Sequence, residues 1–393
     1  MSRGQVGSEA GSEARRRWLR RACATALAAT GGSLPGAPLR AATASYPPVL
    51  RGVPLSFPRD HGAHDDYRTE WWYLTGWLDR IDGAHRGEPA GVQITFFRTR
   101  THHDRADPSR FAPVQLLFAH AALALPGNGS LAHAQRAARE GFGLARASRA
   151  DTDVAIGDWS LVRDANDVYR ARIADGSVAI DLSFRAHASP LLQGDAGFSR
   201  KGPRETQASY YYSRPQLEVR GTIGEAHERS AVEGVAWLDH EWSSEILDAS
   251  AVGWDWVGLN LDDGSALTAF RIRTRDGSTL WSYARRADRA TARPSLAGQP
   301  DWRPGRPDEP QVRFEPLRHW TSPRTGVRYP VAMQLRIDAR SLTLEPLFDD
   351  QELDTRATTG VVYWEGAVRV LEHGALIGRG YLELTGYEGR VVF

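Results

Sequence analysis

Thr69-Glu70-Trp71-Trp72-Tyr73-Leu74-Thr75-Gly76-Trp77-Leu78-Asp79 decides the reading of the fold. Trp71, Tyr73, Thr75 and Trp77 fall on one face, and Trp72, Leu74, Gly76 and Leu78 on the other. A period of two is the mark of a β-strand. Working outward, similar alternation predicts strands at 91–99, 114–125, 153–163, 168–174, 178–186, 217–223 and 233–239. The second half adds 254–261, 265–274, 279–285, 331–338, 341–347, 361–370 and 379–387. Asp82-Gly83, Asp175-Gly176, Asp263-Gly264 and Asp276-Gly277 punctuate them as turns. Many short strands with such turns indicate sandwiches or barrels. Ser130–Glu140, rich in Ala and Arg, is the one helix expected, and 287–311, rich in Pro, Arg and Asp, reads as an exposed loop.

The chain has 393 residues, enough for two domains. Trp72-x-x-x-Gly76 and Trp254-x-x-x-Gly258 each open an aromatic strand early in a half, a hint of duplication. The boundary is set between 245 and 246, giving halves of 45–245 and 246–393. Residues 1–44 read as a leader: Arg15 and Arg16 are a twin-arginine pair, Ala22–Ala29 is mildly apolar, and Ala42-Thr43-Ala44 is a small-residue cleavage site. An exported, periplasmic protein cleaved after Ala44 is therefore expected. Its mature part has no run of about 18 apolar residues, so no integral membrane segment is expected.

The leader holds seven Arg and two Glu, which leaves 42 basic against 46 acidic residues, a net of −4. Such a chain has no electrostatic case for nucleic acid. Lys201 is its single lysine, so a Schiff base would rest on that residue, and a G-x-x-x-x-G-K phosphate loop is absent. Cys23 is the single cysteine and lies in the leader, which leaves no thiolate for catalysis or metal binding.

Three aromatic clusters hold charged residues where a plain core would have none. The first joins Asp60-His61-Gly62-Ala63-His64 to Glu70-Trp71-Trp72-Tyr73. Its His-x-x-His spacing with a glycine does not fit a helical metal motif, so a loop capping a barrel is expected, with no metal. A buried Glu70 needs an arginine partner or a raised pKa. The second is Ser209-Tyr210-Tyr211-Tyr212-Ser213-Arg214, with Tyr211 on the face opposite Tyr210 and Tyr212. The third is Trp237-Leu238-Asp239-His240-Glu241-Trp242-Ser243-Ser244. Alternation puts His240 and Trp242 on one face and Asp239 and Glu241 on the other, so one pocket can receive one pair or the other. The adjacent serines invite a hydrolase reading, but no G-x-S-x-G elbow is present. Farther on, Trp254-Asp255-Trp256 sets an acid between two indoles. It is either a proton donor whose pKa burial raises or a structural partner of an arginine such as Arg271.

Glu70-Trp71-Trp72-Tyr73, Phe96-Phe97-Arg98, Phe118-Ala119-His120, Tyr211-Tyr212-Ser213-Arg214, Trp237-x-Asp239-His240-Glu241-Trp242 and Gly253-Trp254-Asp255-Trp256 together resemble the AttH-like lipocalin family. Carotenoid 1,2-hydratases and kievitone hydratases are related to it. The resemblance spans about residues 55–393. It implies an all-β fold of two consecutive lipocalin-like antiparallel barrels and an apolar cavity. It also implies cofactor-independent addition of water to a carbon–carbon double bond, begun by an acid. His240 and Trp242 match the family's His-x-Trp pair, and Asp255 beside Trp254 matches its acid.

The expected site therefore has Asp255, His240, Trp242 and Glu241 as catalytic residues. Glu70, Trp72, Tyr73, Tyr211, Trp237, Asp239, Trp254 and Trp256 are expected to hold an isoprenoid- or lipid-like ligand. Hydration is placed first. A non-catalytic carrier and a hydrolase using Asp239, His240 and a serine or water stand as alternatives.

Overall fold

The computed structural model describes residues 45–225, 227–245, 247–288 and 312–391. The expected leader and nearly all of the 287–311 loop lie outside these residues. The first sheet contains β1 (Thr69–Arg80), β2 (Pro89–Arg100), β3 (Gln115–Ala124), β4 (Ala132–Arg139), β5 (Ala145–Ala147), β6 (Asp153–Ile156), β7 (Trp159–Arg163), β8 (Val168–Ala174), β9 (Ala179–Arg185), β10 (Leu191–Leu192), β11 (Phe198–Arg200), β12 (Ala208–Gly224) and β13 (Arg229–Glu245). The second contains β14 (Ala251–Leu261), β15 (Ala266–Thr274), β16 (Thr279–Ala287), β17 (Val312–Thr321), β18 (Arg328–Ile337), β19 (Arg340–Pro346), β20 (Glu352–Asp354), β21 (Val362–Glu372) and β22 (Ala375–Leu384). The fold is all-β. Among the described residues, only Arg59–His61 and Pro126–Asn128 form short 3-10 turns, and no helix is long and apolar enough to cross a membrane.

The first sheet runs β4-β3-β2-β1-β13-β12-β9-β8-β7-β6-β5 and curls into a nearly closed barrel. The second runs β16-β15-β14-β22-β21-β19-β18-β17 and forms a half-barrel. These are the two consecutive barrel-like, lipocalin-type units expected from the resemblance.

Residues 132–139 correct the helix expected over Ser130–Glu140. They form strand β4, paired with β3 from Leu116↔Arg139 to Leu123↔Ala132. Ala132, Ala134 and Ala138 alternate onto the barrel core. Pairing to an existing edge outweighs the helix propensity of alanine, which is small per residue. Arg136, on the same face, stacks 4.5 Å over Trp159 and reaches the Ala174 carbonyl at 3.1 Å. Its side chain thus spans the gap at the barrel's open seam.

Alternation gives β1 two jobs. Trp72, Leu74 and Leu78 enter the first barrel's interior with Phe96, Trp159 and Trp242. Tyr73 and Trp77 point out of it, into a second apolar layer with Trp237, Trp256, Phe270, Ile272 and Tyr381. This layer joins the sheets, and each large side chain buried there contributes about 2 kcal/mol. Val257, Leu259, Tyr329, Trp364 and Leu382 fill the half-barrel separately.

Two details lock the sheets together. A register shift between Arg214 and Leu217 bulges β12 at Gln216, whose φ is 54°. The bulged residue donates its backbone N–H to Asn260 Oδ1 at 2.7 Å and its side-chain amide to the Leu261 and Ser265 carbonyls. At Gly91 on β2, a Cβ would lie 2.5 Å from the Tyr381 hydroxyl and 2.8 Å from Ala367. Only hydrogen fits there, because the second sheet approaches so closely.

A cavity between the two sheets

A cavity of about 300 Å³ opens where these outward faces meet. Trp71 and Tyr73 from β1, Phe97 from β2, His120 from β3, Tyr211 from β12, and Asp239 and Glu241 from β13 form one wall. The facing wall is Trp254 and Trp256 from β14, Phe270 and Ile272 from β15, Tyr363 and Glu365 from β21, and Glu383 from β22. Lys201, just after β11, joins the first wall. Large aromatic faces with a few convergent polar groups are the usual make-up of a small-molecule site.

The polar groups form linked pairs. Glu365 and Glu383 are direct cross-strand partners on β21 and β22. Tyr73 donates to Glu365 at 3.0 Å from the opposite wall. Burial, with the charge of Glu383 beside it, pushes the Glu365 carboxyl well above its ordinary range. Burial likewise raises Glu383, to about 8, against a hydrogen bond from Trp254 and with the help of nearby Asp239 and Glu241. Two adjacent buried carboxyls cannot both ionise without cost, so the pair favours its protonated forms near neutral pH.

Asp239 accepts from Trp237 Nε1 at 2.6 Å, Ser213 Oγ at 2.5 Å and Tyr211 Oη at 2.7 Å. Burial outweighs these three donors and pushes its carboxyl up to about 7. Glu241 pairs with Lys201 Nζ at 3.0 Å. His120 bonds Tyr363 at 2.8 Å, and burial depresses its imidazole to about 3, so it serves as a neutral ring.

The residues expected from the sequence part company here. Tyr73, Tyr211, Asp239, Glu241, Trp254 and Trp256 line the cavity. Trp237 stands behind it in the inter-sheet layer, orienting Asp239. Glu70, Trp72, His240 and Trp242 point the other way, into the first barrel. There Glu70 Oε1 accepts from His64 at 2.8 Å and His240 at 2.9 Å, and Arg98 bonds its other oxygen at 2.8 Å. Burial alone would raise Glu70, but Arg98 and His64 outweigh it and hold the carboxyl well below its usual range. His240 also meets the Tyr212 hydroxyl at 3.1 Å, and Trp72 stacks on its ring at 4.7 Å.

The ligand-type atoms of His64, Glu70 and His240 lie within 4.8 Å of one another, close enough in principle for a cation. Hydrogen bonds among them, and the Arg98 guanidinium on Glu70, already satisfy the set. The 59–64 segment caps the barrel end: the His61 carbonyl accepts from Trp72 and Thr152.

Asp255 lies on the face of β14 opposite Trp254 and Trp256. Arg271 at 2.6 Å, Arg273 at 2.9 Å and the Tyr387 hydroxyl at 3.0 Å hold it. Of the two roles open to it in the sequence, this geometry has the form of the arginine-paired one. Asp255, His240 and Glu241 thus face three different places, and no single cavity receives them. Ser243 and Ser244 donate to the Ala208 and Pro47 carbonyls, both at 2.6 Å, and neither bonds His240.

Glu365 and Glu383 were not among the expected residues. Their signal was a carboxylate inside an aromatic strand, Tyr363-Trp364-Glu365 and Tyr381-Leu382-Glu383. What the sequence could not show is that register sets them opposite one another.

The AttH-like family model matches residues 48–387. The crystal structure of an AttH protein from Nitrosomonas europaea is 48% identical, covers 87% of this chain and 99% of its own, and superposes with a TM-score of 0.77. Kievitone hydratase from Nectria haematococca is 15% identical over 88% of this chain and 96% of its own, with a TM-score of 0.60, a likeness of fold. No protein of curated function matches. With nearly the whole described chain inside the family model, the protein belongs to the AttH-like family.

Proposed function

We propose that this protein is a cofactor-independent hydratase acting on an unsaturated apolar small molecule held between its two barrels. The Glu365–Glu383 pair is the observation that carries the proposal. A carboxyl kept protonated near neutral pH, in a cavity walled by indoles, is the group that can protonate a carbon–carbon double bond. The electron pair of the double bond takes the proton, and the faces of Trp71, Trp254 and Trp256 are placed to stabilise the cation that results. Water then adds to the cation, and its surplus proton returns to a carboxylate, Glu365, Glu383 or Asp239. The sum is one water added and no net proton consumed. In this reading Asp255 is a structural counterion, and the acid comes from β21 and β22.

A carrier of the same ligand is the rival. It would gain nothing from several buried carboxyls, each of which costs free energy to desolvate. The two are separated by incubating the protein with a panel of acyclic isoprenoid alkenes and alcohols in ¹⁸O-labelled water. Label in a product alcohol, lost in Glu365→Gln and Glu383→Gln, supports hydration. A panel member that binds and is recovered unchanged would support carriage. Export through the 1–44 leader belongs to the same proposal, and cell fractionation of the full-length protein tests it.

A further inference from the structure

Lys201 is the one lysine among 49 basic residues, and it is buried at the cavity wall. A chain that places arginine at every other basic position keeps a compact ammonium here. Its neighbours account for that choice. Nζ lies 3.0 Å from Glu241, 4.1 Å from the centre of the Phe270 ring and 4.4 Å from that of Tyr211. A guanidinium also stacks on ring faces, but it would engage Glu241 through two nitrogens and spread its charge, where the ammonium is a compact point charge.

The lysine is also held from behind. Its N–H donates to the Gln207 carbonyl at 2.7 Å. Gln207, itself fully buried, accepts from Arg204 N at 3.0 Å and donates to Asp248 at 2.7 Å. An ammonium has three N–H donors. Here Nζ has an ion-pair contact with the Glu241 carboxylate, and its other close neighbours are π faces, which are weaker acceptors than a ligand oxygen.

We infer that Lys201 anchors an oxygen of the ligand, so that the cavity selects an apolar molecule bearing a carbonyl or phenolic oxygen over a pure hydrocarbon. This rests on the reading of the cavity as the ligand site, and it names the class of molecule that site takes. A carboxylate head would have to compete with Glu241 for the one ammonium at this wall. A covalent imine is a separate role, distinguished from the anchor by borohydride reduction.

The test uses two ten-carbon probes that differ in the oxygen: citral, an unsaturated aldehyde, and myrcene, a hydrocarbon. Binding is read by quenching of tryptophan fluorescence in the full protein, with Lys201→Arg and the neutral pair Lys201→Met/Glu241→Gln as variants. The double variant leaves no buried charge unpaired, and its melting curve checks folding. We expect citral to bind the wild type at least about tenfold more tightly than myrcene, the worth of one hydrogen bond to a charged group. In the double variant the citral-to-myrcene ratio falls to about one, and Lys201→Arg recovers it only in part. Equal affinities in the wild type, or a ratio that survives the double variant, would overturn the anchor while leaving the cavity reading in place. Failure of both probes to bind the wild type would overturn both. Borohydride treatment with citral gives a further check: a reduced adduct mapped to Lys201 would replace the anchor by a covalent role.

Discussion

Glu365 and Glu383 face each other across one antiparallel strand pair, both on the side turned to the inter-sheet cavity. Tyr73 reaches Glu365 from the opposite wall, and Trp254 bonds Glu383. The pair is therefore fixed by groups from both barrels, and the proton it holds belongs to a site that neither barrel makes alone.

The first prediction concerns that proton. Glu383→Gln keeps shape and removes the acid–base function. We expect hydration to fall by at least about a hundredfold, the usual worth of a general acid. Citral binding should change less than threefold. Parallel loss of binding and turnover would assign Glu383 to packing.

A second prediction follows from pH. Asp239 and Glu383 are raised by burial to about 7 and about 8. A carboxyl raised in the folded state favours folding when protonated. Its contribution is complete below its unfolded value, near 4, and is lost as pH rises through the folded value. Between pH 6.5 and pH 9 these two groups should cost the protein about 3 kcal/mol. Urea melts across this range measure the slope, and Glu383→Gln should flatten it. An unchanged slope in that variant would remove Glu383 from the explanation.

Asp255 yields a third. Its removal leaves Arg271 and Arg273, both largely buried, without their carboxylate. Asp255→Ala should cost about 3 kcal/mol of stability. At a temperature where the variant is folded, probe affinity should stay within a few fold of wild type. Loss of turnover without loss of stability would restore Asp255 as the acid.

Gly91→Ala tests the joint between the sheets. A methyl group there meets Tyr381 and Ala367. We expect a loss of about 2 kcal/mol from overpacking, read by chemical denaturation. An unaltered midpoint would mean that the sheets separate there at little cost.

Much of this was legible in the sequence. Alternation assigned the faces of β1, β12 and β13, and so separated Asp239, Glu241 and Tyr211 from His240, Trp242 and Tyr212. A buried Glu70 called for an arginine partner or a raised pKa, and the structure gives it Arg98. Other parts were out of reach for physical reasons. Ala132–Arg139 has the composition of a helix, and only the waiting edge of β3 makes it a strand. The face of Asp255 is set by alternation, but its second arginine, Arg273, is placed by strand pairing. Strand register also brings Glu365 to Glu383 and sets that pair across from residues more than a hundred positions earlier. Such long-range pairing leaves no trace in local pattern.

The most direct test of the central claim is an infrared titration of the protonated-carboxyl C=O band, comparing wild type with Glu365→Gln and Glu383→Gln. A band that persists at neutral pH, fades near pH 8 and is lost or shifted in both variants is expected. Carboxyls that are all ionised by pH 6, or a neutral-pH band unaffected by either substitution, would contradict it.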